Sequence, residues 1–159
     1  EKINFRRQKM KAKRFVGFVL AGGLILAGVG GAAAESGEKA KELALKKIMK
    51  DLGGNMQTVT DAISREDWQL AEKTAPLIAD HPQPPVTEKL RIIAFMGADM
   101  GKFKNYDAEV HKAAGSLGEA AKAKDGAAVI AAFQSIQTAC YGCHRDFRQG
   151  FVKHFYGTP

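Results

Sequence analysis

From Gly37 to Phe151 apolar residues recur three and four positions apart, and nowhere does the chain sustain the every-other-residue alternation of a strand. That spacing restricts the chain to amphipathic helices, and four segments can be read. The first runs from about Gly37 to Ile63, capped by Ser36, with Leu45, Ile48, Met49, Leu52, Met56, Val59 and Ile63 as its stripe. Gly53-Gly54 in its interior costs roughly 1 kcal/mol per glycine relative to alanine, which points to close approach of a bulky group or a neighbouring helix. The second runs from about Arg65 to Ala79; Ser64-Arg65-Glu66-Asp67 resembles a capping box, and Trp68, Ala71, Ala75 and Ile78 face inward. Pro76 kinks it or marks its last turns, and His81-Pro82-Gln83-Pro84-Pro85 is a loop. The third starts near Thr87 and runs through Leu90, Ile93, Gly97, Met100, Phe103, Asp107, Val110, Ala114, Leu117 and Ala121 to a stop at Asp125-Gly126. Gly97 and Gly101 leave open whether it is one bent helix or two. The fourth runs from about Ala127 to Phe151 or beyond, burying Val129, Ile130, Phe133, Ile136, Cys140, Cys143, His144 and Phe147. Trp68, Phe103 and Phe133 read as packing residues. Four such helices with short connections predict an all-α, antiparallel, up-down-up-down four-helix bundle.

On the fourth helix stands Cys140-Tyr141-Gly142-Cys143-His144. Two thiols three residues apart share one helical face; each can add across a haem vinyl group, and the next residue offers an imidazole to iron. The pattern predicts one covalent haem c, with Cys140 and Cys143 as attachment points and His144 as the proximal ligand. A thioredoxin-like dithiol would sit at a helix start in a βαβ context, which is missing here. An all-thiolate zinc site needs two more cysteines than the chain has; a mixed site using His111 or His154 stays open by counting alone. Otherwise His111 and His154 read as exposed or locally hydrogen-bonded imidazoles.

The N-terminal residues give a separate indication. Lys11, Lys13 and Arg14 precede an apolar run from Phe15 to Val29, and Gly30-Gly31-Ala32-Ala33-Ala34-Glu35 comes next. A basic stretch, a short apolar run and small residues at a cleavage site predict a signal peptide cut after Ala34, starting at Met10, with residues 1–9 an upstream extension. The run is short for a membrane span of about twenty residues, so membrane association is expected only if the leader is kept. Arg6-Arg7 hints at a twin-arginine signal. Residues 1–34 hold seven of the 24 basic residues and one of the 17 acidic ones, so the remainder is close to neutral. No basic stripe is left to neutralise phosphates, which excludes nucleic acid as a partner. Residues 35–159 then form one domain, exported to the periplasm, without a disulfide scaffold.

A helical bundle with its single haem motif near the C-terminus resembles the class II c-type cytochromes, cytochrome c′ and its low-spin relative cytochrome c556. Cys140-x-x-Cys143-His144-x-x-Phe147-Arg148 mirrors the family's aromatic-then-basic ending, and Ile48-Met49-Lys50-Asp51-Leu52-Gly53-Gly54-Asn55-Met56 resembles the first helix of cytochrome c556. The resemblance covers most of residues 38–150; the connection between the second and third helices is shorter than usual, and residues 151–159 form an extra tail. Cytochrome c′ is itself an up-down-up-down bundle, so that topology is partly implied by the resemblance. The resemblance implies that Met49 is the distal iron ligand, ahead of Met56, Met96 and Met100, whereas a methionine on an apolar stripe is otherwise core filler. Arg148 is a candidate for a haem propionate or for tuning His144, with Lys46 and Lys50 weaker candidates. The function implied is a periplasmic His/Met-ligated electron carrier, not an enzyme, exchanging electrons with periplasmic or membrane redox proteins. The alternative is a five-coordinate haem binding NO or CO, as in cytochrome c′. A peroxidase lacks support, since no distal His/Arg pair accompanies Met49. Family members often dimerise through the first two helices, which the short second helix here makes a weaker expectation.

Overall fold

A computed structural model describes residues 43–157. The leader, the Ala34 boundary and the Ser36 cap lie outside the described residues. Those described are helical, with no strand among them: α1 (Ala44–Ser64), α2 (Trp68–Ala79), α3 (Val86–Met96), a 3-10 turn (Gly97–Asp99), α4 (Met100–Lys122), α5 (Gly126–Cys143), a π-helical turn (His144–Arg148) and α6 (Gln149–Tyr156). No helix among them is long and apolar enough to cross a membrane.

The main core lies between α1, α2, α4 and α5. Val59 and Ala62 meet Ala71, Ala75 and Ile78, then Val110, Ala114, Leu117 and Ala121, then Val129, Ala132, Ile136 and Ala139. Each fully buried Ile, Leu or Val contributes roughly 1.5–3 kcal/mol, and the alanines between them let the helices come close. At α2 and α4 the approach is tight enough that a β-carbon on Gly118 would lie 3.2 Å from Ala75 Cβ. Two connections use the same device. Glu66 (φ 53) and Lys124 (φ 56) turn the chain through the left-handed region. Asp67 and Asp125 come directly after them and accept the N–H of Leu70 and Ala128, each at 3.0 Å. The capping acceptor makes the strained preceding residue tolerable.

A second cluster joins Leu43, Ile92 and Met96 to Phe151 and Phe155, with Phe95, Phe103 and Phe147 packed against it. Its edge-on and tilted ring pairs, such as Phe95–Phe151 at 5.8 Å and Phe151–Phe155 at 4.5 Å, are ordinary aromatic packing.

Several sequence expectations change. The first helix begins at Ala44, not near Gly37: Leu43 is extended and buried in the aromatic cluster, and the Ala44 N–H donates to Glu88 at 2.8 Å. The second begins at Trp68 with Asp67 as cap, while Ser64 donates back to the Thr60 carbonyl, so the capping box at Ser64 does not form. Pro76 falls in the last turn of α2, in agreement with one of its two readings. The third segment is two helices. Gly97 (φ 49) ends α3 and resets the helical phase, so Ile92 and Met96 are buried while Leu90 and Ile93 are exposed. Ile130 and His144, expected inside, are exposed, and the fourth segment passes through the π turn into α6, which takes in most of the expected tail. Gly53 and Gly54 have no neighbour within 4 Å of where a β-carbon would stand, so no neighbouring helix among the described residues accounts for the pair.

Candidate haem site

Between α1, α4, α5 and the π turn with α6 lies a cavity of about 610 Å³, within the range of small-molecule and cofactor sites. Met49 lines it from α1; Cys140 and Cys143 from α5; His144, Phe147 and Arg148 from the π turn. Lys46, Lys50 and Met56 line it as well. The structure therefore gathers every principal site residue expected from the sequence into one cavity. Met96 lies instead in the aromatic cluster, and Met100 packs against it. His154 stacks on Phe95 at 4.5 Å, away from the cavity lining.

The π turn matters to this arrangement. Such turns widen a helix locally and shift the phase of the residues beyond them, and they are frequent at functional sites. Here His144 opens the turn and Arg148 closes it, so one short segment presents an imidazole, an aromatic ring and a guanidinium to the same space.

The setting of the two thiols bears on the dithiol reading. Burial raises both, and the Cys143 thiol is pushed up to about 11 by burial and by the neighbouring Cys140, Asp107 and Asp146. A reactive dithiol needs the opposite, a lowered pKa in an electropositive setting. Burial and the Arg148 charge lower the His144 pKa, which favours the neutral imidazole with a lone pair free to ligate. Apolar walls, two thiols, a neutral imidazole and a thioether fit a covalently attached haem.

Gly142, inside the motif, has a structural reason. A β-carbon there would stand 2.6 Å from the Tyr106 ring, so glycine leaves the room in which that ring lies against α5. Tyr106 then donates to Asp146 at 2.7 Å, and Asp146 also accepts from Lys102 at 2.8 Å and Arg145 at 2.9 Å. Arg145 first, then Lys102 and Tyr106, hold the Asp146 carboxyl well below the usual range. This network centres on a residue between His144 and Phe147 and ties the π turn to α4. The sequence gives no sign of it, because Tyr106 and Asp146 are forty positions apart and neither belongs to a motif.

A second cluster is equally hidden. His111, a lone imidazole in the sequence, stacks on His81 at 4.7 Å, and both face Asp107. Asp107 raises the His81 pKa, and His81 in turn lowers that of Asp107.

The relation to known proteins bears directly on this cavity. The family model described as Cytochrome C′ matches residues 94–148. The match is consistent with a class II c-type cytochrome. No curated protein matches the chain. The matched stretch takes in α4, α5 and the π turn, and leaves α1, with Met49, outside. A class II cytochrome implies haem, and an electron carrier or ligand-binding protein rather than an enzyme.

Proposed function

We propose that the chain is an exported, monohaem, c556-like electron carrier with an antiparallel bundle. Cys140 and Cys143 would hold the haem through thioethers, His144 would be the proximal ligand and Met49 the distal one. The bound group would supply an iron that changes by one electron between ferrous and ferric states. The observation that supports this reading is that α1 brings Met49 to the cavity lined by Cys140, Cys143 and His144.

The chain's own residues account for the rest. The apolar lining excludes water and lowers the local dielectric, while Arg148, Lys46 and Lys50 place positive charge on the lining, suited to the propionates. Thioether ligation favours the reduced state and raises the potential. A signal peptide ending at Ala34 would deliver the unfolded chain to the periplasm, where redox proteins of the periplasm or membrane would be its partners.

A second reading, with which the matched family is equally compatible, is a five-coordinate haem that binds NO or CO. Optical and resonance Raman spectra separate the two. The wild-type chain is expected to be low-spin in both oxidation states, with Met49→Ala turning it high-spin and lowering its reduction potential. A wild-type spectrum that is high-spin and unchanged by Met49→Ala would overturn the carrier reading and favour the second.

A further inference from the structure

We propose that His81, Asp107 and His111 form a second metal site, for a divalent zinc-like cation, separate from the haem iron. The three residues come from two places: His81 from the proline-rich loop after α2, Asp107 and His111 from one face of α4. One donor atom from each lies within 4.8 Å of the others.

The hydrogen bonds fix which nitrogens are available. His81 Nδ1 donates to the Ile78 carbonyl at 3.1 Å, and His111 Nδ1 donates to the Ala79 carbonyl. A carbonyl can only accept, so both protons of the neutral rings sit on Nδ1. Both Nε2 lone pairs then face the Asp107 carboxylate, from 3.5 Å for His81 and 3.4 Å for His111. Acceptors turned toward an acceptor need something positive between them.

Protons can fill that role only in part. The rings stack nearly parallel, 11° apart, and two stacked imidazolium ions repel. The separations are also longer than the roughly 2.7–2.9 Å of a charge-assisted hydrogen bond. They run to different oxygens, Oδ1 for His81 and Oδ2 for His111, so a shared cation would draw one donor atom of each residue together from a present spread within 4.8 Å and turn the stacked rings toward it. Metal-bound histidines characteristically donate their other ring N–H to a backbone carbonyl, as both rings do here. Two imidazoles, one carboxylate and a water complete a zinc coordination shell. The cation would clip the loop containing His81 onto α4 at the border of the haem cavity, which His81 and Asp107 also line.

Calorimetric titration of the haem-loaded full chain with zinc chloride at about pH 8, where unperturbed imidazoles are neutral, tests the site. One zinc per chain is expected. His111→Gln and Asp107→Asn should each weaken binding by at least about tenfold, and His154→Gln should leave it unchanged. Zinc should also raise the melting temperature of the wild-type chain by several degrees and not that of His111→Gln, since a ligand stabilises only the state that binds it. Melting curves without zinc establish that each variant is folded; Asp107→Asn, at a half-exposed position, is the second variant if His111→Gln is not. No saturable binding, or binding that survives both substitutions or is lost with His154, overturns the proposal.

Discussion

The two ends of this bundle are built on opposite rules. Around Leu117 and Val129 the helices meet through small residues, with Ala62, Ala71, Ala114 and Ala121 at or near zero exposure. Around Met49 and His144 they meet through long or aromatic side chains, and a cavity of about 610 Å³ remains between them. The closed end has short, Asp-capped connections; the open end has an extended entry at Leu43, a broken helix at Gly97 and a π turn at His144. Cohesion and chemistry are thereby assigned to different parts of one fold. A cavity weakens the helices that line it, so stability has to come from elsewhere along their length.

The largest effect is expected where the closed end is most tightly filled. Leu117→Ala should cost about 2–5 kcal/mol in urea unfolding, because its fully buried side chain is surrounded by four helices and leaves a void. If the two ends are as separate as their packing indicates, the haem spectrum of the folded variant should stay as in the wild type. A spectrum that changed with the substitution would break the distinction.

The next effect lies where the two regimes meet. Gly142→Ala puts a methyl into the Tyr106 ring and should cost about 1–3 kcal/mol through overpacking, again read by urea unfolding. Combined with Tyr106→Leu, the loss should be smaller than the sum of the single losses, since one clash is removed with its cause. Additive losses would mean that the glycine serves the motif in some way other than admitting the tyrosine.

Legibility in the sequence divides along the same line. The stripe from Val110 through Leu117 to Ala121 and the positions Val129 and Ile136 are readable from three-four spacing, because an uninterrupted helix keeps its phase. The haem motif is readable from local order alone. Where phase is reset, reading fails: Gly97 turns the chain through positive φ, and the expected Leu90–Ile93 face gives way to Ile92 and Met96. Tertiary pairings are also out of reach. Nothing in the local pattern ties Tyr106 to Asp146, or the loop residue His81 to His111, since each partner is an ordinary polar residue until the fold brings them together. Glu88, which receives the Ala44 N–H across forty-four positions, is hidden for the same reason.

The smallest effect has the opposite sign. Gly53 lies in the interior of α1, and a β-carbon there meets nothing within 4 Å. Gly53→Ala should therefore stabilise the chain by about 0.5–1 kcal/mol, by removing conformational freedom from the unfolded state without a clash in the folded one. Chemical denaturation of the haem-loaded chain measures this, with Gly54→Ala as an independent repeat at the neighbouring open position. If both substitutions destabilise, this face of α1 is occupied in the working protein, by a bound group or by a second copy packed on α1. In that case the open end extends beyond the cavity, and the boundary between cohesion and chemistry runs further along α1 than the packing of the single chain places it.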